Sequence, residues 1–256
     1  MNEEPASQPQ PPPQLPLSAA APLGPRPIGE DPAEREPIPN VVATVEVILR
    51  QPRRLMYQLR QPGAGPIIGA MLLVSVLCSL VYGLVVGSFS QGMQWWAAPV
   101  KIAGGLLVAA VICLPSLYIF ACLSGSRARL VEVAGLLAGL LMLMTVLLIG
   151  FAPVALIFST STNSLPWMGT LHLVFWLLGT FFGLRFLQNG FSHSNARSLA
   201  GVHVWIVIFL LVVLQMTAAL RPLLGTSDEF LPKEKKFFLT HWEECLRGDR
   251  ADPVRD

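Results

Sequence analysis

The middle of this chain almost lacks acid. Between Pro66 and Leu220 the only carboxylate side chain is Glu132. Only 13% of the 256 residues are charged, about half the ~25% usual for a soluble domain. A water-facing surface of this size cannot be built from so few charges, so the solvent of the middle is expected to be lipid. Cysteine is equally uninformative chemically. Cys78, Cys113 and Cys122 fall inside apolar runs and Cys245 stands alone in the tail. No pair has the spacing of a metal site or of a disulfide framework. There is no Walker A loop, GxSxG elbow, HExxH or pair of intramembrane aspartates, and Ser116 and Ser124 have no base in reach. No catalytic set, cofactor site or metal site is therefore expected. The first residues lack the basic start and apolar core of a signal peptide. The net charge of +2 carries no case for nucleic acid.

What is present is apolar length. Hydrophobic residues make up 53% of the sequence, and five stretches reach the ~20 residues needed to cross ~30 Å of hydrocarbon. They are 67–89, 98–123, 130–158, 167–187 and 199–220. The fold class expected is all-α, a polytopic membrane helix bundle of five transmembrane helices. The third stretch, too long for one upright span and too short for two, reads as a tilted helix with a kink or early stop near Pro153.

Four regions follow. Residues 1–38, dominated by Pro, Gln, Ala and Glu, read as a disordered tail. Residues 39–65 read as a juxtamembrane amphipathic helix, capped by Asn40 and interrupted at Pro52, then a Pro/Gly break. One face is apolar and the other carries Arg50, Arg53, Arg54 and Arg60, which are expected to hold the helix against anionic lipid. Residues 66–224 form the bundle. In 225–256, Phe238, Trp242, Cys245 and Leu246 share a face, which predicts a short amphipathic helix on the outer surface.

Arginine sets the orientation. Residues 1–66, the turn Gly125-Ser126-Arg127-Ala128-Arg129 and the loop with Arg197 are basic. The loops 90–97 and 159–166 contain no Lys or Arg. This alternation places the N-terminus in the cytoplasm and, with five spans, the C-terminus outside. Trp95, Trp96 and Trp167 then gather at the outer interface.

Polar groups within spans are the default functional candidates. Glu132 is expected to pair with Arg129 or Arg185. Lys101, near the outer end of its span, is expected to snorkel to the interface. His172 and His203 fall at opposite sides of the membrane and read as interfacial or packing residues. Gln215, Thr145, Ser75 and Ser79 read as interhelical bonding groups. The pairs Gly83 and Gly87, Gly135 and Gly139, and Gly179 and Gly183 are each spaced four apart, and Gly104-Gly105 thins the second span. This predicts close helix contacts in a compact bundle.

With its five spans, its Pro62-Gly63-Ala64-Gly65-Pro66 break before the first, Leu114-Pro115-Ser116-Leu117-Tyr118 in the second and Leu220-Arg221-Pro222-Leu223-Leu224-Gly225 after the last, the chain resembles bacterial members of the Yip (Ypt-interacting protein) domain superfamily. The resemblance covers about residues 50–225 and implies an integral membrane protein of the bacterial inner (plasma) membrane. Eukaryotic members bind Rab-type GTPases. Gln61 and Gly63 stand where their Asp-Leu-x-Gly-Pro would fall, so the GTPase partner does not transfer to this chain. The expected function is a non-enzymatic scaffold or accessory subunit organising lipids or another membrane or membrane-associated protein, with an oligomer compatible with its glycine faces. The alternative is a small transporter or channel component using Glu132, Arg185 and Gln215.

Overall fold

The computed structural model describes residues 27–90, 94–161, 165–193 and 200–219. Among them there is no strand. The elements are α1 (Pro32–Arg35), α2 (Val41–Arg50), α3 (Pro52–Arg60), α4 (Gly65–Ser90), α5 (Gln94–Leu123), α6 (Leu130–Ser161), α7 (Leu165–Ser192) and α8 (Ala200–Ala219). Four helices, α4 to α7, are long and apolar enough to cross a membrane. That is the mark of a multi-pass membrane helix bundle. The predicted tail helix beyond residue 225 and the first 26 residues lie outside the described residues.

The long helices lie in the order α7, α6, α4, α5, α8, with α6 packed on both α7 and α4, and α5 on both α4 and α8. One end of the bundle carries Arg60 and Arg129 and is called the basic end below. The other carries exposed Trp95, Trp96 and Trp167. At the basic end Gly125, at φ +77°, closes α5. The Ser126 N–H donates to the Ala121 carbonyl (3.1 Å) and the Gly125 N–H to that of Cys122 (2.9 Å). This pairing uses up helix-end carbonyls that lipid could not satisfy.

Small residues set the helix spacing. A Cβ on Gly183 would stand 2.9 Å from the Leu140 carbonyl oxygen, and one on Gly179 would stand 3.0 Å from that of Met144. Gly139 faces the Phe186 ring, Gly135 faces Leu59, and Gly83 faces the backbone of Pro99. Gly87 lies on the same helix, also buried. Gly190 against Leu136 and Gly201 against Phe120 make the same kind of approach. Neither stood out in the sequence, because neither belongs to a four-residue pair. Gly104 has open space around it.

Four expectations need correction. Of the kink or early stop expected near Pro153, the stop is absent: α6 runs on to Ser161 with the proline inside it, on an exposed side of the helix. Residues 27–38 of the supposed disordered tail are folded: Asp31 caps α1, and Ile28 and Ile38 pack against the main core. The juxtamembrane helix is two helices broken at Gln51–Pro52, and its apolar face does not lie in lipid. Val47, Ile48, Leu55, Met56 and Leu59 are buried in the same core as α4 to α8. Of that face, Leu59 packs against Gly135 of α6. Finally Lys101 does not snorkel. It is 2% exposed, enclosed where α4 and α5 close together at Gly83 and Pro99, two residues before it.

Filling the tight positions should cost far more than filling the open one. Gly183→Leu is expected to destabilise the bundle by about 1–3 kcal/mol through overpacking, and Gly104→Leu by less than about 0.5 kcal/mol. Unfolding in detergent, followed by circular dichroism, measures both. Equal losses would mean that the α6–α7 approach does not set the spacing.

Candidate functional site

Two groups of polar side chains stand apart from the helix ladder: a buried set within the bundle and a bonded layer over its basic end.

Inside the bundle most hydroxyls bond to their own helix. Ser75 donates to the Met71 carbonyl (2.8 Å), Ser79 to Ser75 (2.7 Å) and Thr145 to Leu141 (2.9 Å). These are local bonds, not the interhelical ones expected. The interhelical bonds come from other residues. The Tyr82 hydroxyl on α4 meets His172 Nδ1 on α7 at 2.7 Å, with the two rings edge to face. Both residues are buried, and His172 Nε2 has no partner among the described residues. Around them α4, α6 and α7 share a second core of Val85, Val86, Leu148, Ala152, Ala155 and Phe175. Trp205 makes the other link. Its indole N–H donates from α8 to the Cys113 carbonyl on α5 (3.0 Å), and Ser116 donates to the same oxygen (2.8 Å). Pro115 lies two residues on, and the carbonyl its missing N–H leaves open is that of Val111, not Cys113. Phe209 stacks on the Trp205 ring at 5.0 Å. A tryptophan six residues into an apolar stretch, away from either belt, was the available sign.

Of the polar residues singled out in the sequence, Glu132 and Arg129 pair, while Arg185 and Gln215 lie elsewhere. Glu132 accepts from Arg129 Nε at 2.8 Å, at the basic end. Arg185 is exposed on α7 and Gln215 is exposed on α8. Gln215 is the sixteenth residue of α8, so roughly 20 Å of helix rise separates it from the end where Glu132 sits. A cleft of about 500 Å³ is lined by Glu30, Asp31, Glu34 and Arg53, and another of about 70 Å³ by Phe158, Trp167, Met168 and Leu171. Neither touches Glu132, Arg185 or Gln215. Among the described residues no three His, Cys, Asp or Glu side chains gather as a metal site would require.

The layer over the basic end carries most of the long-range side-chain hydrogen bonds among the described residues. Pro52 starts α3, and its apolar face of Leu55, Met56 and Leu59 is buried. Its other face presents Arg53, Arg54 and Gln58 to the segment 27–37. Arg53 Nε donates to Glu34 Oε1 at 2.6 Å, and Arg53 also donates to the Pro27 carbonyl. Arg54 donates to the carbonyls of Glu36 (3.1 Å) and Pro37 (3.0 Å). Gln58 donates to those of Arg35 and Glu36. Gly29, at φ +91°, lies flat against the Tyr57 ring, where a Cβ would come within 2.6 Å of a ring carbon. Its N–H donates to Glu34 Oε2. Burial by itself would raise the Glu34 carboxyl. The Arg53 and Gly29 hydrogen bonds and the positive charge of Arg53 outweigh it and hold the group below the ordinary glutamate range.

Of the basic residues expected on lipid, two are taken up within the cap. Arg53 and Arg54 bond to the chain's own segment. Arg50 pairs with Glu46 at 2.9 Å in a largely exposed ion pair. The Arg60 carbonyl accepts from Arg129 (2.7 Å), which ties α3 to the start of α6. No family model, curated protein or solved structure matches this chain.

Removing the Tyr82 hydroxyl strands a second nitrogen of a buried imidazole. Tyr82→Phe is expected to destabilise the protein by about 1–3 kcal/mol. Combined with His172→Phe it should lose less than the sum of the two single changes. Denaturant titration in detergent measures the cycle, and strictly additive losses would show that the pair is uncoupled.

Proposed function

We propose that this protein is a non-enzymatic membrane scaffold or accessory subunit, which uses a folded cap at the basic end of its bundle to engage a cytoplasmic or membrane-associated protein. The observation that carries this reading is the cap itself. A charged, water-facing platform of α1, α2 and α3 is built onto a bundle whose buried hydroxyls are mostly bonded to their own helices. The bundle serves as an anchor and the cap as the surface. In this reading α8 is a fifth span, since its 20 residues rise ~30 Å. The basic end then faces the cytoplasm and the C-terminus lies outside, in keeping with the arginine-bearing loops. The bacterial inner membrane is the setting that the Yip-like resemblance favours. A transporter using Glu132, Arg185 and Gln215 would need one cavity to reach residues held at opposite ends of the bundle.

Two measurements test this. Affinity purification of the full chain in mild detergent should return a stoichiometric protein partner. A protein that purifies alone under every condition, yet moves a solute across liposomes, would sink the reading. With Cys122 and Cys245 replaced by serine, cysteine labelling from outside intact cells should modify a cysteine placed at Asp256 but not one placed at Ser126; the reverse pattern would invert the topology.

A further inference from the structure

The cap is divided in its chemistry. Every polar contact from α3 to the segment 27–37 is made by a donor on α3: the guanidinium groups of Arg53 and Arg54 and the amide of Gln58. Every acceptor lies on the segment, and most are main-chain carbonyls. The side-chain acceptors are acidic: Glu34 beneath Arg53, and Glu36 at 3.5 Å from Arg54. Fixed guanidinium forks recognise a carboxylate and two carbonyls geometrically, whatever chain supplies them. The segment is held by polar bonds more than by apolar burial. It has one helical turn, α1, its apolar anchors are Ile28 and Ile38 near its two ends, and the 500 Å³ cleft runs beside Glu34 and Arg53.

We infer that residues 27–37 form a displaceable strap, an internal pseudo-ligand seated on an acidic-peptide docking face of α3. The ligand class is an extended peptide with a glutamate or aspartate over Arg53 and main-chain carbonyls over Arg54 and Gln58. The inference names the surface that the proposed scaffold would use, and so rests on that reading. A partner's segment competes with the strap, which, tethered beside the face, acts at high effective concentration. Engagement is therefore weak until the strap lifts, and the apparent affinity is reduced by the fraction of molecules in which the face is open.

The test uses the full-length protein in phosphatidylcholine nanodiscs and a fluorescent synthetic peptide of residues 27–38 as probe, read by anisotropy. Wild type should bind it weakly. Glu34→Gln removes the strap's ion pair and should tighten probe binding by about tenfold or more. Gly29→Ala, which drives the strap off the Tyr57 ring without changing any charge, should do the same. A probe with glutamine at both glutamate positions matching 34 and 36 should bind about tenfold more weakly to the opened protein. Arg53→Ala with Arg54→Ala should abolish binding. Equal probe affinity for wild type, Glu34→Gln and Gly29→Ala would overturn the inference. So would displacement of the probe from Glu34→Gln by phosphatidylglycerol nanodiscs at physiological salt, which would assign the face to lipid headgroups. The probe assay needs no natural partner. Failed co-purification would therefore remove the scaffold reading and leave the strap standing, and a failed probe assay would do the opposite.

Discussion

Lipid offers no hydrogen bonds, and the architecture follows from that single deficit. Each buried donor or acceptor must find its partner within the chain, at a cost of several kcal/mol otherwise. The serines and threonines of α4 and α6 meet the demand by turning back to carbonyls one turn earlier. On α5 the indole of Trp205 and the hydroxyl of Ser116 converge on the Cys113 carbonyl, so one acceptor of α5 becomes the attachment point of α8. The Tyr82–His172 pair bridges α4 and α7 in the same way.

Hydroxyls bonded to their own helix do not hold helices together when the medium is as apolar as the side chains. Close approach and the few interhelical bonds have to do that. Dispersion falls steeply with a gap of even half an ångström, so the glycines facing Leu140, Met144, Phe186 and Leu59 set how much contact each pair can make. Gly135 has the further consequence that Leu59 of the cap reaches into the bundle. One small residue on α6 therefore decides that α3 is part of the core and not a helix floating in the headgroups.

The sequence was most legible where the membrane imposes its own period and length. The four long helices, the Asn40 cap, the Gly125 turn and the tight glycines all follow from residue type and spacing, because lipid leaves few alternatives. The errors fell where tertiary contact overrode composition. An amphipathic helix shows its apolar face but not what covers it, and lipid and a glycine-lined groove leave the same pattern in Val47, Leu55 and Leu59. Residues 27–38 are Pro- and Glu-rich like the chain before them, yet Ile28, Gly29, Glu34 and Ile38 supply two anchors, a left-handed bend and a buried charge. A compositional average hides four such residues. Lys101 looks like any interfacial lysine until Gly83 and Pro99 bring two helices together beside it. The pairing of Tyr82 with His172 could not be seen, since a contact 90 residues apart has no local signature.

The same logic separates the two faces of the cap. Towards the bundle α3 offers only apolar groups, because any donor there would be stranded in hydrocarbon. Away from it α3 meets the segment through donors, and guanidinium is the group that keeps its charge under all conditions and reads carbonyls and carboxylates alike. These donors suit an acceptor-rich ligand, and a peptide backbone with spaced glutamates is one the chain itself already supplies. Had the arginines served only to meet lipid, Glu34 and the carbonyls of residues 27–37 would compete with that use and weaken it. Their placement is economical only if the occupant of the face is peptide.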